Sequence, residues 1–188
     1  MMLEAAHRRA LLEAARESIA RGHGLARPEP LPAGPWPEAL SAPGATFTTL
    51  TLDGELRGCR GSIEPRRPLV EDVWHNAWAS AFDDPRFPPV AHDAILRLGI
   101  SISVLSPLEP IPASSEAAVI GALEPGVDGL VLSRGSARAT FLPAVWQQLP
   151  APRDFVRQLR HKAGWPVAAW SSDLKAYRYR TETFPAHG

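Results

Sequence analysis

Twenty prolines interrupt a chain of 188 residues, and six of them crowd into residues 28–43. Inside a helix or a central strand, proline removes a backbone donor and clashes with its neighbours. A chain so punctuated must therefore be built from many short elements. The 14 glycines added to these prolines still leave the composition below the range of disordered chains. Residues 28–43 read as an extended surface strap with Trp36 as its candidate anchor.

Charge and cysteine content narrow the classes further. Lys plus Arg and Asp plus Glu number 20 each, so no whole-molecule field draws in polyphosphate, and a nucleic-acid site would need a local patch. A chain of this length buries roughly 70% of its unfolded surface, enough to fold without disulfides or a structural metal. The single cysteine, Cys59, allows neither an internal disulfide nor the paired thiolates of a structural zinc site. No run approaches the roughly 20 apolar residues of a membrane span. The first turns carry His7, Arg8, Arg9 and Arg16 among acids, unlike a signal peptide. A cytoplasmic protein without membrane contact is expected.

Periodicity places the elements. Residues 3–21 have helical spacing, with Gly22 as the stop. Residues 46–52 are rich in β-formers and lead into Asp53-Gly54, a type I′ turn pair, so a hairpin follows. Pairing Leu52 with Glu55 sets Leu50 against Arg57 and Thr48 against Cys59. That register puts Arg57 and Cys59 on the face of Leu50, with Leu56 and Arg60 opposite, unless Gly58 or Gly61 introduces a bulge. A helix begins at Pro68 and ends near Asp83, with Glu71, Asp72, His75 and Asn76 on its polar side. A short helix is expected at 91–96, a strand at 98–104, a helix at 115–123, a second hairpin around Gly135-Ser136, a helix ending at Gly164, and a closing strand through 177–183. Two runs of hairpin, helix and returning strand give an α+β fold of two lobes built from antiparallel hairpins, with packed helices around a shared core.

The densest chemistry lies in Leu56, Arg57, Gly58, Cys59, Arg60, Gly61 and Ser62. Glycines admit a close backbone approach, and flanking arginines favour a thiolate. On this reading Cys59 is a thiol nucleophile or ligand contact. Arg57 holds an anionic group, the backbone from Gly58 through Gly61 to Ser62 donates to an oxyanion, and His75 transfers protons. Asp84 and Arg86 are candidates for binding an anion or polar substrate. Each has a plainer reading: a small buried thiol, bulge glycines, a surface imidazole, a turn-starting Asp before proline. The plainer set makes the chain a non-catalytic binding or scaffold module, with Trp36, Trp146, Trp165 and Trp170 as candidate interface anchors. Arg153, Arg157, Arg160, His161 and Lys162 form a basic helical face that reads as solvated, so nucleic acid is not the expected partner. Walker, dinucleotide, nucleophile-elbow and paired-histidine metal motifs are absent from the sequence, and no cofactor or metal is expected.

Taken in order, LRGCRG, the helix through Trp74 and Trp78, DPRFPP, ISISVLSP, VDGLVLSRGSARATFLPAVW and KAGW resemble the AMMECR domain family, known in bacteria and archaea as AmmeMemoRadiSam system protein A. The resemblance spans residues 47–184. It implies one AMMECR-type domain over 1–188, with the helix and strap at 1–45 and the core at 46–184. It also implies two unequal lobes, with the LRGC segment at a cleft. The implied partners are a Memo-like protein, itself similar to non-haem iron dioxygenases, and a radical-SAM enzyme; the family brings no established activity with it. Its signature falls on Leu56, Arg57, Gly58, Cys59, Gly61, Asp84, Pro85, Arg86 and Phe87. Arg60 and Ser62 depart from it, standing where Ile and Thr are usual.

Overall fold

A computed structural model describes residues 2–166 and 170–185. In chain order the elements are α1 (Ala5–Gly22), α2 (Glu38–Ser41), β1 (Pro43–Gly44), β2 (Thr46–Leu52), β3 (Glu55–Gly61), β4 (Arg67–Pro68), α3 (Leu69–Phe82), β5 (Leu98–Leu105), β6 (Glu109–Ile111), α4 (Glu116–Gly121), β7 (Gly129–Arg134), β8 (Ala137–Phe141), α5 (Pro152–Lys162), β9 (Lys175–Tyr179) and β10 (Thr181–Pro185). Short 3₁₀ turns cover His92–Arg97 and Pro143–Gln147. The fold is α+β with antiparallel sheets. It divides into a first unit, Met1–Leu105 with the return from Glu182, and a second, Ser106–Thr181. Buried apolar residues form two clusters, one in each unit, where the sequence suggested a shared core.

The first unit carries a four-stranded sheet in the order β10-β5-β2-β3. Helix α3 packs on β2 and β3, and α1 packs on α3. Alternation sends Thr46, Thr48 and Leu50 into the core, beneath Val70, Val73, Trp74 and Ala77. Gly22 lies in the last turn of α1 and is not the conformational stop that the sequence suggested. A Cβ there would sit 2.2 Å from the Trp78 ring, and the left-handed residue is Gly24, at φ +78°. The strap is anchored from both sides: Trp36 and Leu31 pack on the core, and the Trp74 indole donates to the Glu29 carbonyl at 2.7 Å.

The hairpin turn forms as expected, with Asp53 at φ 52° and Gly54 at φ 86°. The register beyond it does not. Thr51 faces Leu56, but Leu50 faces Gly58, Thr49 faces Cys59 and Thr48 faces Arg60. Arg57 is the extra residue of a bulge, and one inserted residue turns every later side chain to the opposite face. Cys59 therefore shares a face with Thr49 and Leu56, away from Leu50. Helix α3 starts at Leu69, with Pro68 outside it as the cap. Asp72, assigned above to the polar side, is 1% exposed.

The second unit has a sheet in the order β6-β9-β7-β8, all its pairs antiparallel. Trp146 stacks on Phe155 with ring centroids 3.8 Å apart, and its indole donates to the Asp128 carbonyl at 2.7 Å. The closing strand expected at 177–183 is two strands in two sheets. The break falls at Arg180, whose carbonyl accepts from Ser106 N–H at 2.8 Å. The basic face of α5 is not simply solvated. Arg153, Arg157 and Arg160 converge on Glu116 at 3.6, 3.5 and 3.4 Å, and Arg160 is 2% exposed. Lys162 donates to the Thr140 carbonyl at 3.0 Å.

Candidate functional site

Strand β3 ends the sheet order of its unit, so its outer backbone groups need partners from outside the ladder. The DPRFPP turn and α3 provide them. Cys59 N–H donates to Asp84 Oδ2 at 2.9 Å. Arg60 N–H donates to Ser80 Oγ at 2.8 Å, and the Cys59 carbonyl accepts from the Arg86 guanidinium at 3.4 Å. Asp84 is nearly sealed, 5% exposed, and also accepts from Arg86 N–H at 3.1 Å and from its guanidinium at 3.0 and 2.7 Å. One carboxylate thus fixes both the cysteine backbone and an arginine side chain.

Electrostatics follow from this geometry. The Arg86 hydrogen bond, reinforced by those from the Cys59 and Arg86 backbones, holds the Asp84 carboxyl well below the usual range against the opposing effect of burial. Arg86 in turn is raised, first by its bond to Asp84 and, more weakly, by Coulombic attraction to Asp84 and Cys59. The thiol is half-buried, and its Sγ lies 3.4 Å from Thr49 Oγ1. Phe87 lies beneath two guanidinium groups, with Arg86 5.3 Å and Arg57 5.8 Å from the ring centroid.

Cys59, Asp84 and Arg86 therefore come together. The other candidates go elsewhere. Arg57 donates to the Pro88 and Pro89 carbonyls at 2.7 and 3.2 Å, and Arg60 pairs with Asp83 at 3.3 Å, so neither arginine next to the cysteine is directed at the sulfur. Gly58 makes its close approach to helix α3, where a Cβ would lie 1.9 Å from the Ser80 carbonyl oxygen. A Cβ at Gly61 would lie 2.3 Å from the Phe47 ring. Ser62 donates to Asp72 at 2.6 Å. His75 pairs with Glu71 at 3.8 Å; burial lowers its pKa, with Arg67 acting in the same direction.

Asp72 is the centre of a second polar cluster that the sequence did not reveal. It accepts from Thr46 N–H at 2.9 Å, Thr46 Oγ1 at 2.8 Å and Asn76 Nδ2 at 2.9 Å, besides Ser62. Burial raises its pKa, while the Ser62 and Thr46 bonds oppose the rise. Thr49, the hydroxyl partner of the thiol, was equally hidden, because its place depends on the bulge. Among the described residues no group of three or more His, Cys, Asp or Glu is arranged to hold a metal ion, and no helix is long and apolar enough to cross a membrane.

The AMMECR1 family model matches residues 12–184. The chain belongs to the AMMECR1 family. It is similar to a protein of Methanothermobacter thermautotrophicus, 34% identical over 158 residues, which cover 81% of this chain and 80% of that one. A Thermotoga maritima protein is 34% identical over 142 residues, 75% of this chain and 76% of its own. Among solved structures, the crystal structure of PH0010 from Pyrococcus horikoshii, described as an uncharacterized protein, matches with a TM-score of 0.83 at 30% identity. That match covers 97% of this AMMECR1-family chain and 93% of the other.

Proposed function

We propose that this AMMECR1-family chain works as a component of the AmmeMemoRadiSam system, alongside a Memo-like protein and a radical-SAM enzyme. In this reading it is a thiol-dependent enzyme or enzyme component. It recognises an anionic group on a small molecule or protein side chain through Arg86 and contacts or attacks it through Cys59. The observation that carries the reading is the Asp84 carboxylate, which bonds Cys59 N–H and the Arg86 guanidinium together. A guanidinium held beside a half-exposed thiol attracts anions to the sulfur.

Comparing two alkylating agents tests this. The sulfur displaces iodide from iodoacetate or from iodoacetamide, and the two differ chiefly in charge. Arg86 should raise the iodoacetate-to-iodoacetamide rate ratio above that of N-acetylcysteine at neutral pH, and Arg86→Gln should abolish the excess. A ratio equal to that of the free thiol rejects anion recognition at this site. The competing scaffold reading is favoured by Arg57, Arg60 and His75 having partners other than the thiol. Cys59→Ser decides between them: folding intact with cellular function lost supports the thiol, and both intact supports the scaffold.

A further inference from the structure

Two cavities of the first unit run along one stripe of α1. The larger, about 390 Å³, is lined by Arg8, Arg9, Leu12, Glu13 and Arg16 together with Phe184 of β10. The other, about 330 Å³, shares Glu13 and Arg16 and continues over Ile19, Ile95, Leu96 and Ile100. Positions 9, 12, 13 and 16 follow the three-and-four spacing of one helix face, and Glu13 and Arg16 line both cavities, which therefore adjoin along α1 as one candidate groove.

The two ends differ in character. At the Phe184 end three arginines meet one glutamate. Arg8 is already occupied: its Nε is 2.8 Å from Glu182 Oε1, and its guanidinium lies 6.0 Å from the Phe184 centroid. Arg9, Glu13 and Arg16 make no salt bridge among the described residues, which leaves two uncompensated guanidinium groups and one carboxylate. The other end is aliphatic apart from Glu17, which is paired with Arg21 at 2.7 Å, and Leu96 stands 92% exposed at its rim. A leucine side chain left in water forgoes the gain of burial that a hydrocarbon laid over it would restore.

We propose that this groove binds a medium-chain aliphatic carboxylate, its head group on Arg9 and Arg16 and its hydrocarbon tail over Ile95, Leu96 and Ile100. The cavity sizes suit a small molecule. A peptide adding to the β10 edge would meet Pro185, which has no N–H to donate. The site is separate from Cys59 and rests on none of the reasoning about the thiol.

Dodecanoate, kept below its micelle threshold, is the probe, titrated into the full chain and followed by ¹H–¹⁵N correlation spectra and calorimetry. The proposal expects saturable shifts confined to residues of both cavities, much weaker binding of dodecanol and dodecylammonium, and affinity reduced about tenfold in Arg9→Gln/Arg16→Gln. Leu96→Asp, at an exposed side chain that leaves the core intact, should weaken dodecanoate by a similar factor. Shifts that do not saturate, equal affinity for dodecanol, or indifference to the double arginine substitution overturns it. Absence of dodecanoate binding, with a dimer that Leu96→Asp dissociates, overturns it in favour of a second copy of the chain.

Discussion

Asp84→Asn separates the charge of the proposed frame from its shape. The turn fixes how the amide sits. Oδ1 accepts Arg86 N–H at 3.1 Å and Arg86 Nε at 3.0 Å, whereas Oδ2 accepts Cys59 N–H at 2.9 Å and Arg86 Nη2 at 2.7 Å. Asparagine with its oxygen toward the Arg86 backbone preserves the turn but sets an NH₂ against two donors; flipped, it loses the other pair. Cys59 N–H then has no acceptor in a nearly sealed position, at a cost of about 1–3 kcal/mol, while the half-exposed Arg86 recovers much of its loss from water. A destabilisation of about 2–4 kcal/mol at pH 7 follows, read by urea unfolding. Because the carboxyl is held low in the folded state, its stabilisation is complete above the unfolded value of about 3.9 and is lost as pH falls through the folded value. The gap between wild type and variant should therefore stay level from pH 7 to pH 5 and close under strong acid. Hydrogen exchange at Cys59 N–H should quicken, and the iodoacetate preference should fall with it. A stability difference below about 0.5 kcal/mol, within the range of ordinary surface substitutions, or one that persists unchanged to the lowest pH at which both proteins fold, refutes the carboxylate frame.

Gly58→Ala should lower stability by about 1–3 kcal/mol in thermal melts through overpacking, since its Cβ would lie 1.9 Å from the Ser80 carbonyl oxygen; an unchanged melting temperature contradicts the close packing of β3 on α3. Glu116→Gln should destabilise the second unit by about 1.5–3 kcal/mol, the worth of a charge-assisted hydrogen bond, because Arg160 is 2% exposed and pairs with Glu116 while keeping its bond to the Pro166 carbonyl. Tryptophan fluorescence during denaturation checks this, and a loss under about 1 kcal/mol rules out the buried pair. His75 should titrate below the ordinary imidazole value of about 6.5, since burial disfavours its charged form. Its effect on stability is then a penalty that grows as pH falls through 6.5 and is absent above it, and an imidazole NMR titration with a midpoint at or above 6.5 refutes the burial argument.

Local signals carried most of the fold. Alternation in residues 98–104 located β5, and Asp53-Gly54 located the hairpin. What stayed hidden depended on contacts distant in sequence. Gly22 looks like a helix stop, yet its requirement comes from Trp78, and Asp72 looks solvated until Thr46, Ser62 and Asn76 are folded around it. The basic stripe on α5 looks solvated because Glu116, its partner, lies on another helix. At the site, Cys59, Asp84 and Arg86 were all legible as candidates from residue type. Their grouping was not, because 25 residues separate Cys59 from Asp84 and strand β3, which carries the cysteine, could have presented either face.

The bulge is the step on which that grouping turns. Without the extra residue at Arg57, Cys59 would point with Leu50 into the core beneath α3, where a small apolar side chain is all a thiol can be. With it, the core-facing position falls to Gly58, which alone tolerates the Ser80 carbonyl, and Cys59 turns to the face of Thr49. The glycine and the cysteine of LRGC are thus two consequences of one register shift: the first lets the strand seat on the helix, and the second brings the sulfur out of the core. If the sequence needed only a packed strand, a small residue other than cysteine would serve at position 59, since the Asp84 clamp uses its backbone N–H and not its side chain. Cys59→Ala should accordingly fold with its Asp84 bond intact, and any function it loses belongs to the sulfur atom.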